Sequence, residues 1–252
     1  MNYKISIVTI NLNNAQGLER TIQSVTNQSY ISFEFIVVDG NSVDGSKEVI
    51  ASYKDHIDQY LIEDDNGIYE AMNKGISLAR GEYLLFLNSG DALLDKGTLY
   101  QASNHFGADL VIGLIETPDG IGKHFYRMSF YEICCFGLPH QSTFIKRQLF
   151  DSVGLYDEQF RISSDWQFFM RSIFDEKCSY NRIDLAISYY DNEGISTKFS
   201  EISAQEKIQF LNDHYKISKF KYQWKLRQVK LYYRIRFRVL LIINGLFNSG
   251  KS

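Results

Sequence analysis

The chain repeats one pattern of organisation three times over its first 79 residues and then starts a fourth: a continuously apolar run, a cluster of polar turn formers, and a segment with helical spacing. The runs are residues 4–10, Phe33 to Val38, Tyr60 to Ile62 and Tyr83 to Leu87. Helical spacing follows at Leu18, Ile22 and Val25, over residues 46–53, and over residues 68–79, where Asp64 or Asp65 is expected to cap. Strands that are apolar throughout are covered on both faces, so this alternation predicts an α/β fold with a mostly parallel, Rossmann-like sheet and helices on either side. Such sheets bind ligands beyond the carboxyl ends of their strands. Thr9 to Asn11, Asp39 and Asn88 to Asp91 end three different strands and are therefore expected on one rim, although each taken singly is equally at home as a turn former.

The second half is less regular. A strand is expected at Asp109 to Ile115, then an irregular aromatic stretch to Gly137, helices near 146–152 and 164–174, a last strand from Ile183 to Tyr190, and helices over 200–213 and 217–243. With 44% hydrophobic residues and only two prolines the chain reads as globular, without a linker or low-complexity tract. Residues 1–10 enter a strand directly, with no basic and then apolar leader, and the three cysteines are adjacent or isolated. A cytoplasmic protein with buried free thiols is expected.

Several blocks match a known pattern: Ser6-Ile7-Val8-Thr9; Ile36-Val37-Val38-Asp39-Gly40 with Ser42 and Asp44-Gly45-Ser46; and Gly81-Glu82-Tyr83 through Leu87-Asn88-Ser89-Gly90-Asp91. In order and spacing they resemble family 2 glycosyltransferases of the GT-A, or nucleotide-diphospho-sugar transferase, fold. The segment Asp65-Asn66-Gly67-Ile68-Tyr69-Glu70-Ala71-Met72-Asn73-Lys74-Gly75 is similar to the branch of colanic-acid and O-antigen transferases. The resemblance implies inverting transfer of a sugar from a nucleotide diphosphate sugar, UDP being the commonest carrier, to a saccharide on polyprenyl diphosphate. It implies a GT-A domain over residues 1–215, with a nucleotide-binding half over 1–115 and an acceptor-binding half over 116–215.

Residue roles follow from the same likeness. Asp91 occupies the last position of the Asp-x-Asp-type element and is the expected ligand of Mn²⁺ or Mg²⁺, a hard cation that offsets the charge of a departing diphosphate. Thr9, Asn11, Asp39, Asn41, Asp65, Asn73, Lys74, Asn88 and Ser89 are the expected nucleotide-sugar contacts, Asp39 toward the base and Asn88 toward the ribose. Three positions depart from the pattern: Gly40 replaces a second acid, Asn88 replaces an acid, and Met72 stands where relatives often carry an arginine.

Asp165, within Ile162-Ser163-Ser164-Asp165-Trp166, matches the family's catalytic base, which takes the proton of the acceptor hydroxyl. It also lies in the first turn of the 164–174 helix, capped by Ser163 or Ser164, where a carboxylate serves the helix alone. His140 and Gln141 in Leu138-Pro139-His140-Gln141-Ser142 are expected at the acceptor cleft, His140 toward a diphosphate, toward a metal, or in packing. Trp166 either stacks on an acceptor sugar or fills the core. Asn192 to Ser196 reads as a lid segment or a plain turn.

Charge divides the chain. All 30 acidic residues precede residue 214, against 17 of the 27 basic ones, a net of −13, while ten Lys and Arg follow. In residues 216–252 Phe220, Trp224, Leu231, Ile235, Val239 and Ile242 form one helical stripe, and Arg227, Lys230, Arg234 and Arg238 another. The segment is too short in apolar residues to span a bilayer and reads as lying on an anionic membrane surface, or as packing on the catalytic domain or a second subunit of a homodimer. An acidic body argues against nucleic acid as partner. A nucleotidyltransferase or a noncatalytic nucleotide-sugar binder remain as other functional classes.

Overall fold

β1 (Ile5–Asn11) is buried at all seven residues and pairs in parallel with β2 (Phe33–Asp39) on one side and β4 (Tyr83–Phe86) on the other. β2 in turn pairs in parallel with β3 (Gln59–Ile62). The computed structural model describes residues 4–30, 32–122, 128–190 and 199–248, with side chains to residue 235. Segment 192–196 and the side chains of Arg238, Val239 and Ile242 lie outside the described residues.

The sheet continues through β8 (Thr143–Lys146), β6 (Leu110–Thr117), β9 (Tyr180–Tyr189) and β5 (Ala92–Leu93), in the order β3-β2-β1-β4-β8-β6-β9-β5, with β7 (Gly120–Ile121) beside β6. Six of these nine described strands run one way; β5, β7 and β8 run against them. The helices are α1 (Ala15–Thr26), α2 (Ser46–Ser52), α3 (Ile68–Leu78), α4 (Thr98–Ser103), α5 (Phe130–Phe136), α6 (Leu149–Val153), α7 (Ser164–Phe174), α8 (Ser200–Tyr215) and α9 (Lys219–Asn248).

Alternation along β1 sorts its side chains to two faces. Ile5 and Ile7 join Leu18, Ile22 and Val25 of α1, Ile50 of α2 and Leu99 of α4 in one apolar cluster. Val8 faces α3 so closely that a Cβ on Gly75 would stand 2.3 Å from its Cγ1, which is why α3 can lie flat on the strand. The apolar reading of β2 passes over Glu34, which is fully buried and satisfied: it accepts from Ser6 Oγ and Arg80 N at 2.5 Å each, Gly81 N at 3.2 Å and Gln59 Nε2 at 3.3 Å.

Four expectations change. The stretch to Gly137 is not irregular throughout, since α5 forms there on a Glu132 carboxylate that takes both the backbone N–H and the hydroxyl of Ser129. The helix expected at 146–152 is β8 ending at Lys146 and then α6. Asp65 supports the turn before α3 by accepting from Gly67 N at 3.1 Å, and Gly67, at φ 152°, takes the cap position itself. Ser163 occupies the N-cap of α7, but its hydroxyl donates to Glu206 at 2.6 Å.

The chain divides into two compact units. The first holds residues 1–124 and 138–206, and the second residues 125–137 and 207–252. In the second, α9 packs along α5, Tyr222 donating to the Cys134 carbonyl at 3.4 Å and Tyr233 bonding to Glu132.

Candidate active site

Parallel pairing brings the ends of β1, β2 and β4 to one edge, with Asn11 opposite Asp39 and Ser89 N donating to the Ile10 carbonyl at 3.0 Å. The Asn11 amide donates to Asp39 Oδ2 at 2.6 Å, to Ser46 Oγ at 2.9 Å and to Ser42 Oγ at 3.2 Å, while Asp39 accepts the Ser42 N–H at 2.8 Å and its hydroxyl at 2.7 Å. Asp39 is thus wholly buried and committed to holding its own turn. Thr9 Oγ1 and Asn11 Oδ1 are buried without a hydrogen-bond partner, and such orphaned groups cost about 1–3 kcal/mol each unless a ligand completes them.

Beside this rim runs the acidic segment before α3. A Cβ on Gly40 would stand 2.5 Å from Asp65 Oδ2, so the missing side chain at residue 40 makes the room that the Asp65 carboxylate takes. Burial raises the pKa of Asp65; the Gly67 N–H and Lys74 oppose this, and Glu70 and Asp39 add to it. Asn41, at φ 62°, donates to Asp64 at 3.0 Å and accepts from Lys47 at 2.5 Å. Two of the expected donor contacts are engaged elsewhere. Lys74 reaches Glu63 and the Asp64 carbonyl at 2.9 Å and Glu70 at 3.0 Å, and Asn73 is clamped to the Tyr156 backbone at 2.9 and 3.0 Å and to Glu158 at 2.8 Å. Met72 is 1% exposed, a core residue.

The loop after β4 is fixed from α1. Thr21 Oγ1 donates to the Asp91 carbonyl at 2.6 Å and accepts from Gly90 N at 3.0 Å, while Arg20 donates twice to the Gly90 carbonyl, at 2.8 and 3.1 Å. Ser89 meets the Asn14 amide at its carbonyl, 3.0 Å away. Asp91 is 5% exposed, and its carboxylate accepts the Asn88 N–H at 3.1 Å. Burial pushes its pKa up to about 7, against the pull of His140, that N–H and Arg20. Asn88 Oδ1 is a further buried oxygen with no partner.

From Asn88 a chain of contacts leads to Asp165. Asn88 Nδ2 lies 3.3 Å from His140 Nε2, and His140 Nδ1 lies 2.9 Å from Asp165 Oδ2, while Tyr69 donates its hydroxyl to Asp165 Oδ1 at 2.8 Å. Burial works to lower His140, but the hydrogen bond to Asp165, its charge and that of Asp91 outweigh it and hold the imidazole above its usual value. For Asp165 burial works upward, and the bond and charge of His140, the Tyr69 hydroxyl and the Trp166 N–H overcome it, so the carboxyl stays below its usual range. The arrangement is that of an ionised, oriented carboxylate, which is what a proton acceptor requires.

The structure thus brings Asn88, Asp91, His140 and Asp165 together. Gln141 is buried in the short turn of residues 140–142, and Trp166 is 4% exposed, which matches the core alternative for its ring. Glu206 grips the approach to α7, accepting from Arg161 N at 2.6 Å, Ser163 N at 3.0 Å and Ile162 N at 3.1 Å. Arg20, Thr21, Tyr69 and Glu206 have no local sequence signal for these contacts.

Comparison with known structures assigns the fold first. TarS of S. aureus superposes with a TM-score of 0.65 at 19% identity, over 86% of this chain and 44% of that one. The mannosyltransferase PcManGT of Pyrobaculum calidifontis, in complex with GDP-Man and Mn²⁺, gives 0.64 at 15% identity, over 90% of this chain and 69% of that one. These define a GT-A glycosyltransferase fold. The sequence matches Glycosyl transferase family 2 over residues 6–176, and the chain belongs to that family. It is 30% identical over 201 residues, 75% of this chain and 77% of the other, to a PGL/p-HBAD biosynthesis glycosyltransferase of Mycobacterium tuberculosis. Of the three functional classes left open by the sequence, family membership selects the glycosyltransferase acting with a nucleotide sugar.

Proposed function

We propose that this glycosyltransferase works with inversion, moving a sugar from a UDP-sugar to a saccharide on polyprenyl diphosphate during assembly of a bacterial surface polysaccharide of the O-antigen or exopolysaccharide kind. The observation that carries the reading is the pair of carboxylates, Asp91 buried at the strand-end rim and Asp165 half-buried and linked to that rim through His140 and Asn88. In an in-line displacement Asp165 takes the acceptor hydroxyl proton as that oxygen bonds to the anomeric carbon. The bond from this carbon to the diphosphate oxygen breaks, and the nucleoside diphosphate leaves. Thr9, Asn11 and Asp65 line the nucleotide side, and Asp39 shapes it by holding Asn11.

Mn²⁺ or Mg²⁺ fits the donor set. Asp91 and the orphaned Asn88 Oδ1 offer two hard oxygens, and among the described residues no group of three or more His, Cys, Asp or Glu encloses an ion. So sparse a set suits a cation that completes its shell with phosphate oxygens and water. Bound there, it supplies charge neutralisation for the departing diphosphate. The complexes of TarS residues 1–349 with UDP-GlcNAc and of PcManGT with GDP-Man and Mn²⁺ support donor and ion.

The second unit supports a peripheral place on the inner face of the cell membrane. One side of α9 packs on α5 through Tyr222 and Tyr233; Phe220, Trp224, Leu231 and Ile235 are 80, 50, 56 and 54% exposed. Arg227, Lys230 and Arg234 lie along one edge of that apolar strip and Lys221 along the other, the layout of a helix seated in a lipid interface. No helix among the described residues is long and apolar enough to cross a membrane. The whole reading is tested by incubating the protein with labelled UDP-sugars and Mn²⁺. Sugar release or transfer that falls at least about a hundredfold in both Asp91→Ala and Asp165→Asn supports it, and near-normal turnover of Asp165→Asn removes that residue from the base role.

A further inference from the structure

We propose that Tyr69 is the positioning residue of the proton acceptor, its hydroxyl fixing which lone pairs of Asp165 face the acceptor sugar. This rests on the reading of Asp165 as base. A carboxylate has about four lone-pair positions. Tyr69 occupies one on Oδ1 and His140 one on Oδ2, and the Trp166 N–H takes a third, so donors from three separate residues lock the carboxylate plane and leave one position open to the acceptor.

The support behind Tyr69 is what makes it a positioning device. It is the second residue of α3 and 3% exposed. Its helix is held along its length: Glu70 takes both the backbone and side-chain N–H of Asn66 at 2.8 and 2.7 Å, Asn73 clamps Tyr156, Lys74 bridges Glu63 and Glu70, and Gly75 seats on Val8. The ring rests against Tyr156, with centroids 5.6 Å apart and planes at 51°. The segment of residues 65–75, which carries the likeness to one transferase branch, thereby delivers one phenol to a carboxylate 96 residues further along the chain. A rigid second layer of this kind is what holds a reacting group within the tolerance that catalysis needs.

Four titratable groups surround Asp165: His140 acts on it by bond and charge, Tyr69 by its hydroxyl and Asp91 through His140, while Tyr156 is a neighbouring neutral phenol whose own ionisation Asp165 opposes. Tyr156 is buried like Tyr69 but its hydroxyl has no hydrogen-bond partner, so it provides a matched control.

The experiment follows the Asp165 carboxyl directly, by ¹³C NMR titration of the full-length, metal-free protein labelled at aspartate Cγ, with the resonance assigned by its loss in Asp165→Asn. Tyr69→Phe is expected to raise the Asp165 midpoint by about one pH unit, because a bond to the ionised form is lost. Tyr156→Phe is expected to leave it in place. Site-specific 3-fluorotyrosine at residue 69, a stronger donor that keeps the ring, is expected to lower it, and it tests the idea even if Tyr69→Phe does not fold. Turnover of a UDP-sugar by Tyr69→Phe is expected to drop about tenfold in kcat with the donor KM unchanged. An unmoved midpoint in both residue-69 variants, or equal shifts in Tyr69→Phe and Tyr156→Phe, overturns the proposal. Retained turnover in Asp165→Asn overturns the base reading instead, and with it the role of Tyr69 in transfer.

Discussion

His140 stands between two parts of the site, its Nδ1 2.9 Å from Asp165 Oδ2 and its Nε2 3.3 Å from the side-chain amide of Asn88. The imidazole therefore joins the loop that follows β4 to the first turn of α7. Nδ1 faces the Asp165 carboxylate and Nε2 faces the Asn88 side-chain amide, so the ring meets a charged group on one side and a polar one on the other. One side chain thus orients both a carboxylate and an amide.

Removing that link has a defined expected result. His140→Ala deletes a hydrogen bond to a charged group, worth about 1.5–3 kcal/mol, and kcat is expected to fall between about tenfold and a hundredfold. Loss of the same bond and charge lets the Asp165 pKa rise, so the acidic limb of the kcat profile is expected to move to higher pH. A steady-state pH series on wild type and variant checks this, and coincident profiles exclude the link.

Asp91 carries a cost that can be measured without substrate. In the metal-free protein burial raises this carboxyl from 3.8 to about 7, so the native state holds its proton more tightly than the unfolded chain does. Stability is undiminished below the unfolded value, falls as pH rises through the interval, and bears the full cost, on the order of 4 kcal/mol, above pH 7. Asp91→Asn is therefore expected to melt higher than wild type in EDTA at pH 8 and with it at pH 4. Mn²⁺ with UDP is expected to stabilise only the wild type. Equal melting temperatures at pH 8 in EDTA contradict the account.

The contact between Gly40 and Asp65 gives a third. Gly40→Ala places a Cβ 2.5 Å from Asp65 Oδ2, and the carboxylate, at the end of a movable side chain, must swing aside. The fold should survive, with the melting temperature within a few degrees of wild type. UDP affinity is expected to weaken about tenfold if Asp65 lines the nucleotide, a loss of about 1.4 kcal/mol readable by calorimetry. Unchanged affinity removes Asp65 from the donor site.

Much of the fold is written in local pattern. α7 spans the residues expected of it, Ser164 to Phe174, with Ser163 at its N-cap position and Asp165 in its first turn, and β1, β2 and β4 are legible because every residue they bury is consecutive. β5 and β7, two residues each, are too short to carry any period, and β8 is held by pairing with β4 and β6, partners that nothing within its own four residues announces. The rim was legible for the same reason the sheet was, since strand ends are set by strand positions. The partners of its side chains were not. Whether Lys74 meets a phosphate or Glu63, and whether Tyr69 meets solvent or Asp165, depends on how distant segments cross, and no periodicity records that.

The exposed strip of α9 yields the last prediction. Deleting residues 216–252 would also strip α5 of Tyr222 and Tyr233, so substitutions on the exposed side make the cleaner test. Serine at Phe220, Trp224, Leu231 and Ile235 removes the apolar strip while leaving the packed side intact, and glutamate at Arg227, Lys230 and Arg234 reverses its flank. Each cation near an anionic surface contributes about 1 kcal/mol, so the charge-reversed protein is expected to lose binding to phosphatidylglycerol vesicles by at least about a hundredfold. Because screening acts on charge and not on apolar burial, rising salt should release the wild type partly and the serine variant fully. Phosphatidylcholine vesicles should bind wild type weakly throughout. A second copy of the chain is the competing occupant of the strip: sedimentation equilibrium showing a wild-type dimer that the serine variant loses, with no vesicle binding by either, would assign the strip to self-association and withdraw the membrane.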